Sequence, residues 1–92
     1  MSVYTIKLIS GEELIAKVTH FDADYIKVDR PRVFQVGQNA QGNMTAGLIP
    51  YFISAPDQKD IKLSQSAIAA SFEASKEVSD SYLQHTTSLI LG

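Results

Sequence analysis

Val3-Tyr4-Thr5-Ile6-Lys7-Leu8-Ile9, then Ser10-Gly11-Glu12-Glu13, then Leu14-Ile15-Ala16-Lys17-Val18-Thr19: over these residues apolar and polar positions alternate, a glycine-led turn intervenes, and alternation resumes. On the second arm Leu14, Ala16 and Val18 share one face, with Glu13, Lys17 and Thr19 on the other. The corner His20-Phe21-Asp22-Ala23-Asp24 feeds a third arm. There Ile26 and Val28 share one side, and Tyr25, Lys27 and Asp29 share the other. Successive side chains of an extended strand point to opposite faces, so a period of two punctuated by turns predicts half-buried antiparallel strands. Three in succession predict the opening meander of a small barrel.

Working outward, Arg30-Pro31-Arg32 precedes Val33-Phe34-Gln35-Val36. Proline has no N–H to give a ladder, so Pro31 predicts an edge, a bulge or a sharp bend inside one long third strand. Gly37–Asn43 is polar and aperiodic and reads as a hairpin tip. Met44–Ala55, centred on Leu48-Ile49-Pro50-Tyr51-Phe52-Ile53, is expected as the next strand. Its apolar density suits cover on both faces, and Pro50 suggests an edge or a bulge. A second copy of the chain is the simplest cover.

Pro56–Asp60 reads as a turn, Ile61–Leu63 as a short strand and Ser64–Ser66 as one 3₁₀ turn. Ala67–Phe72 is expected to be the closing strand. Ser75 is placed to cap a helix over about 76–90, with Glu77 near the positive end of its dipole. Val78, Tyr82, His85 and Leu89 make one helical stripe, flanked by Leu83 and Ile90, expected over a barrel opening or a neighbouring subunit. The whole, 1–92, is read as one domain. The fold class expected is mainly β: a small five-stranded antiparallel barrel with a C-terminal α-helix.

Ninety-two residues allow a single, marginal core, and oligomerisation is a common way to add buried area at that size. Cysteine is absent, which removes disulfides and thiolate metal sites and suits a reducing cytosol. Met1-Ser2-Val3-Tyr4 enters a strand directly, without a signal peptide, and no apolar run is long enough for a membrane span. The expectation is a cytoplasmic protein without membrane contact. Eight Lys and Arg against ten Asp and Glu argue against bulk capture of duplex nucleic acid. A small basic and aromatic pocket for a few unpaired bases remains compatible with that charge.

Within the small SH3-like barrels, Leu8-x-x-Gly11-x-x-Leu14-x-Ala16-x-Val18-x-x-Phe21-Asp22 resembles the first motif of the Sm and Sm-like RNA-binding superfamily. The spacing looks closest to the bacterial RNA chaperone of that superfamily and to short phage-encoded Sm-like proteins. The resemblance covers residues 3–29 well and 61–72 more loosely. It implies Gly11 for the turn, Phe21 for the core and Asp22 for the following loop. It further implies a ring of about five to seven subunits, closed by edge-strand pairing through Met44–Ala55 and Ile61–Phe72. Such a ring would bind single-stranded RNA as a chaperone or scaffold, in the cytoplasm of a bacterial host that a phage has infected.

The chain departs from the family pattern at the pocket. Asp24 and Tyr25 occupy the stacking positions, Ile26 stands where the family places Asn, and Gln65-Ser66 replaces the Arg-Gly or Lys-His pair. The expected RNA contacts are stacking by His20 and Tyr25, edge reading by Gln65 and Ser66, phosphate neutralisation by Lys27 or Lys62, and Asp22 in the loop. The alternative function is a structural or adaptor ring that binds no nucleic acid and docks a protein through the helix or through Gly37–Asn43.

Other chemistry finds little footing. Asp22 and Asp24, two carboxylates without further oxygen ligands, make a poor cation site. Arg30 and Arg32 are expected to project together, toward a phosphate or an acidic neighbour across a subunit boundary. Glu12-Glu13 is a solvated turn. No strained serine elbow or phosphate-cradling glycine loop is present, and neither His20 nor His85 has an evident acidic partner, so no enzyme, cofactor or metal is expected. His85 reads as packed or interfacial.

Overall fold

The computed structural model describes residues 2–91, with side chains through Thr87. The strands are β1 (Ser2–Leu8), β2 (Glu13–Phe21), β3 (Tyr25–Gln38), β4 (Met44–Pro50), β5 (Ile61–Ser64) and β6 (Ile68–Glu73), followed by helix α1 (Lys76–Leu91). A 3₁₀ turn, Gln65–Ala67, joins β5 to β6. The strands form one antiparallel sheet in the order β4-β3-β2-β1-β6, with β5 on the first residues of β3, beyond the end of β4.

Connectivity forces this sheet to curl. Laid flat, the five adjacent strands β5-β3-β2-β1-β6 would hold their outer members about 19 Å apart. The 3₁₀ turn linking them advances only about 2 Å per residue, roughly 8 Å from β5 to β6. Curvature brings the ends together. Ile9 N–H donates to Ala67 O and Gln65 N–H donates to Asp24 O, both at 2.9 Å, pinning the turn to each end of the sheet.

Alternation sorts the side chains onto two faces. Ile6, Leu8, Leu14, Ala16, Val18, Ile26 and Val28 fill the concave side, joined by Val33, Ile61 and Leu63. Val3 and Ile15 point outward and are covered by Tyr82 and Val78 of α1, with Phe34 and Leu48 alongside. The helix therefore lies across the convex face of its own sheet, where Ile15 would otherwise leave an apolar patch in water. This differs from the expected site over a barrel opening or a neighbour. Of the expected stripe, Val78, Tyr82 and His85 pack inward and Leu83 is exposed; Leu89 and Ile90 lie outside the described side chains. Ser75 caps the helix as expected, its Oγ accepting from Val78 N–H.

Two irregularities shape β3 and its partner. Ile15 pairs with Arg32 but Lys17 with Asp29, so β3 carries one extra residue there. Arg30 absorbs it in the left-handed region at φ 47°, a β-bulge beside Pro31 that bends the strand. On β2 the extra residue is Thr19: Val18 pairs with Val28 and His20 with Lys27. This second bulge flips the alternation. His20 turns to the convex face, and Phe21, opposite Ile26, turns to the concave one.

Three expectations change. The segment Met44–Ala55 is a strand only to Pro50; residues 51–60 form turns, and pairing to β3 resumes at Ile61. All six strand segments read from the sequence are present, one more than the five-stranded class expected, and β4 stops early because Pro50 lacks a donor and the bulged β3 turns away from it. Phe21 does not enter the core: it is 57% exposed at the rim, edge-on to Tyr4. Arg30 and Arg32 do not project together, since the bulge separates them and Arg32 is fully buried.

Candidate nucleic-acid interface

Strand register assembles one cluster on the convex face. Lys27, in the middle strand, lies directly opposite His20 of β2 on one side and Lys62 of β5 on the other. Tyr25, two residues before Lys27, shares its face and lies opposite Ser64. The His20 and Tyr25 rings are 5.9 Å apart and tilted by 31°. Lys62 Nζ stands 4.8 Å from the centroid of the Tyr25 ring, a cation–π distance. The β2 bulge makes this cluster: without it His20 would point to the concave side.

Two loops close around these side chains. Asp22 N–H donates to Tyr25 O at 2.9 Å, and Asp22 Oδ1 accepts from Asp24 N–H at 3.0 Å, the local bond that suits Asp to a tight turn. Gln65 braces the same corner: its Nε2 donates to Asp22 O at 3.0 Å while its backbone N–H donates to Asp24 O. Gln65 therefore uses its amide nitrogen on the protein and keeps Oε1 as an acceptor. Ser64 and Ser66 share a hydroxyl–hydroxyl bond of 2.7 Å beside it. All seven residues expected at an RNA site, His20, Asp22, Tyr25, Lys27, Lys62, Gln65 and Ser66, meet at this end of the sheet. Tyr25 and Lys27 are half-buried and the others exposed.

The electrostatics here are unbalanced. Like charges directly opposite on neighbouring strands repel, yet Lys27 and Lys62 face each other. Among the described residues no carboxylate lies within ion-pair distance of either. Two lysines on one face, one of them with its ammonium over a half-buried phenol ring, can take an anion and a stacked ring together.

The other end of β3 has the opposite character. Arg32 Nη2 donates to Asp57 Oδ1 at 2.9 Å, Nη1 to Pro56 O and to Arg30 O, and Nε to His85 Nδ1 at 3.0 Å. One guanidinium thus ties β3, the 51–60 segment and α1 together. Burial, reinforced by the Arg32 charge, holds the His85 pKa below its ordinary value, and the Asp57 carboxylate opposes that only in part. The imidazole is thereby kept neutral, as an acceptor for Nε must be. Nearby, the Tyr82 hydroxyl donates to Asp29 O at 2.8 Å, and Asp29 Oδ1 accepts from Asp60 N–H at 2.9 Å. Burial raises the Tyr82 pKa, which preserves the donor.

Sequence reasoning had placed Arg32 at a subunit boundary or on a phosphate; its ion pair is instead within the chain. Its partner Asp57, and the Tyr82–Asp29 bond nearby, are absent from the sequence expectations. The usable signal was Pro31, which marks the bulge that turns Arg32 under α1.

Among the described residues no helix is long and apolar enough to cross a membrane. The chain matches no family model and no curated protein.

Proposed function

We propose that this chain is an Sm-like protein of the SH3-barrel type that assembles into a ring and binds single-stranded RNA at the Tyr25 end of β3. The observation that carries the reading is the Lys27–Lys62 opposition on the face of the half-buried Tyr25 ring. A base stacks on Tyr25, with His20 as the second aromatic surface. Its phosphate sits between the two ammonium groups and relieves their repulsion. Gln65 Oε1 accepts from a base N–H, and the Ser66 hydroxyl serves either role. Stacking of this kind tolerates many sequences, and the net charge of −2 keeps the contact local, with few phosphates engaged.

Assembly is supported by the two ends of the sheet. Among the described residues β4 and β6 each have a hydrogen-bonded neighbour on one side only, and both carry exposed apolar residues, Met44 and Ile49 on one and Phe72 on the other. Unpaired edges of this composition recruit another strand. Joining β4 of one copy to β6 of the next is head-to-tail and closes into a ring when the rotation allows.

The test is a titration of short oligo-U and oligo-A at low ionic strength, repeated with added salt. Binding should weaken with salt along a shallow slope, reflecting about two phosphate contacts. No association at the lowest salt discards the RNA reading. The ring would then stand as a structural or adaptor module, a reading that the net negative charge favours.

A further inference from the structure

A groove of about 380 Å³ runs between α1 and β4 on the convex face. Phe34, Leu48 and Val78 line it with apolar surface, Ser81 stands along its helix side, and Ala46 and Gly47 form its low outer wall. We propose that this groove is the socket for Phe72 of a second copy of the chain. The proposal rests on the β4-to-β6 pairing above and adds to it a specific anchor and a role for the helix.

Phe72 is the right side chain in three respects. It is 61% exposed, a large apolar group without cover in its own chain. It lies opposite Thr5, which lies opposite Ile15, and Ile15 packs beneath Tyr82 of α1; Phe72 therefore projects on the convex face, the face on which the groove opens. It also stands on β6, at the far end of the strand order from β4. Phe72 of the same chain is thus on the wrong edge to fill the groove.

Extending a sheet by one strand keeps each face continuous. A neighbour's β6 laid along β4 sets its Phe72 on the same side as Ala46 and Leu48, which lie opposite Val36 and Phe34. The small side chain of Ala46 leaves the outer wall low, so a phenyl ring enters from the strand side. The other exposed aromatics do not qualify. Phe21 sits on an interior strand against Tyr4, and Phe52 packs edge-on against Tyr51.

The test is mass by light scattering over a dilution series, with far-UV circular dichroism to verify folding. Four chains are compared: wild type, Phe72→Ala, Ser81→Trp and the double variant. Both substituted positions are exposed, so the fold of each subunit should persist. Phe72→Ala should raise the subunit dissociation constant at least about tenfold, as loss of a central aromatic anchor does. Ser81→Trp should do likewise by filling the groove from its own helix. The double variant should be little worse than either alone, because a filled socket has no use for Phe72. An assembly whose dissociation constant is unchanged in the single variants, or whose losses add in full, overturns the socket and leaves edge pairing standing. A wild type that stays monomeric at every concentration overturns edge pairing and the socket with it.

Discussion

Positive charge sits at two places on the same face of β3, one on either side of the Arg30 bulge, and the two have opposite fates. At one end Arg32 is fully buried and its guanidinium is engaged by Asp57, Pro56, Arg30 and His85. At the other, Lys27 and Lys62 face one another across the ladder without a carboxylate partner among the described residues. A charge satisfied on every side is part of the architecture. A pair of like charges left together at a half-buried aromatic is a standing cost to the fold, tolerated where a ligand from outside relieves it. Residue type alone does not separate the two places; the bulge and the path of α1 do.

The comparison is broken most severely at Arg32. Arg32→Ala leaves His85 Nδ1 and the Pro56 carbonyl without their donor and opens a cavity under α1. It should lower stability by about 3–5 kcal/mol, the range for removing one member of a buried charged network. Urea unfolding measures this, and a loss below about 1 kcal/mol would mean that Arg32 does not hold the helix down. Lysine should rescue little, because a single ammonium cannot span four directions of acceptors.

At the open end the expected effect falls on binding instead. Tyr25→Ala should weaken oligo-U association by about 1–3 kcal/mol, the worth of one stacked base. Its unfolding midpoint should stay close to that of wild type. Equal binding by the variant would remove Tyr25 from the site.

Tyr82→Phe sharpens the contrast within the closed end. It keeps the ring over Val3 and Ile15 but leaves Asp29 O without its hydroxyl donor. The loss should be about 1–2 kcal/mol, read from the same unfolding curves.

Proton uptake offers a gentler probe. His85 is held below its ordinary pKa by burial and by Arg32, so the unfolded chain takes up this proton before the folded one does. Its contribution is fully present above the unfolded value, near 6.5, and is lost as pH falls below that and through the folded value. The groups around it set the direction: Arg32 disfavours the charged imidazole and Asp57 partly offsets that. Stability measured between pH 8 and 5 should therefore decline for wild type. His85→Gln, whose side-chain oxygen can still accept from Arg32, should decline less, and parallel curves would contradict the assignment.

Much of this was legible in the chain, for reasons that particular residues make plain. The meander from Val3 to Asp29 could be read because Leu14, Ala16 and Val18 recur at every second position, broken only by Ile15, and alternation is a local property. The helix start was legible because Ser75 and Glu77 act within one turn. The residues expected at an RNA site come from resemblance to a family motif, and they meet because β5 pairs with the first four residues of β3. What stayed hidden was set at long range. His20 reaches the convex face through a bulge that no local signal marks. Arg32 finds its partners 25 and 53 positions further along the chain; Pro31 marks the bulge beside it, but no residue nearby identifies those partners. Phe21 has the identity of a core residue, but its place at the rim follows from where the sheet ends.

The smallest expected effect is also the most direct test of the difference between the two ends. Lys27→Gln and Lys62→Gln, alone and combined, remove the opposed charges while retaining most of each stem. Thermal melting without ligand and oligo-U binding at low ionic strength should be measured on the same samples. The account predicts melting temperatures equal to or slightly above wild type, by no more than about 0.5 kcal/mol in stability, together with loss of oligo-U binding in the double variant. A double variant that melts well below wild type, or that binds oligo-U as tightly, would contradict it.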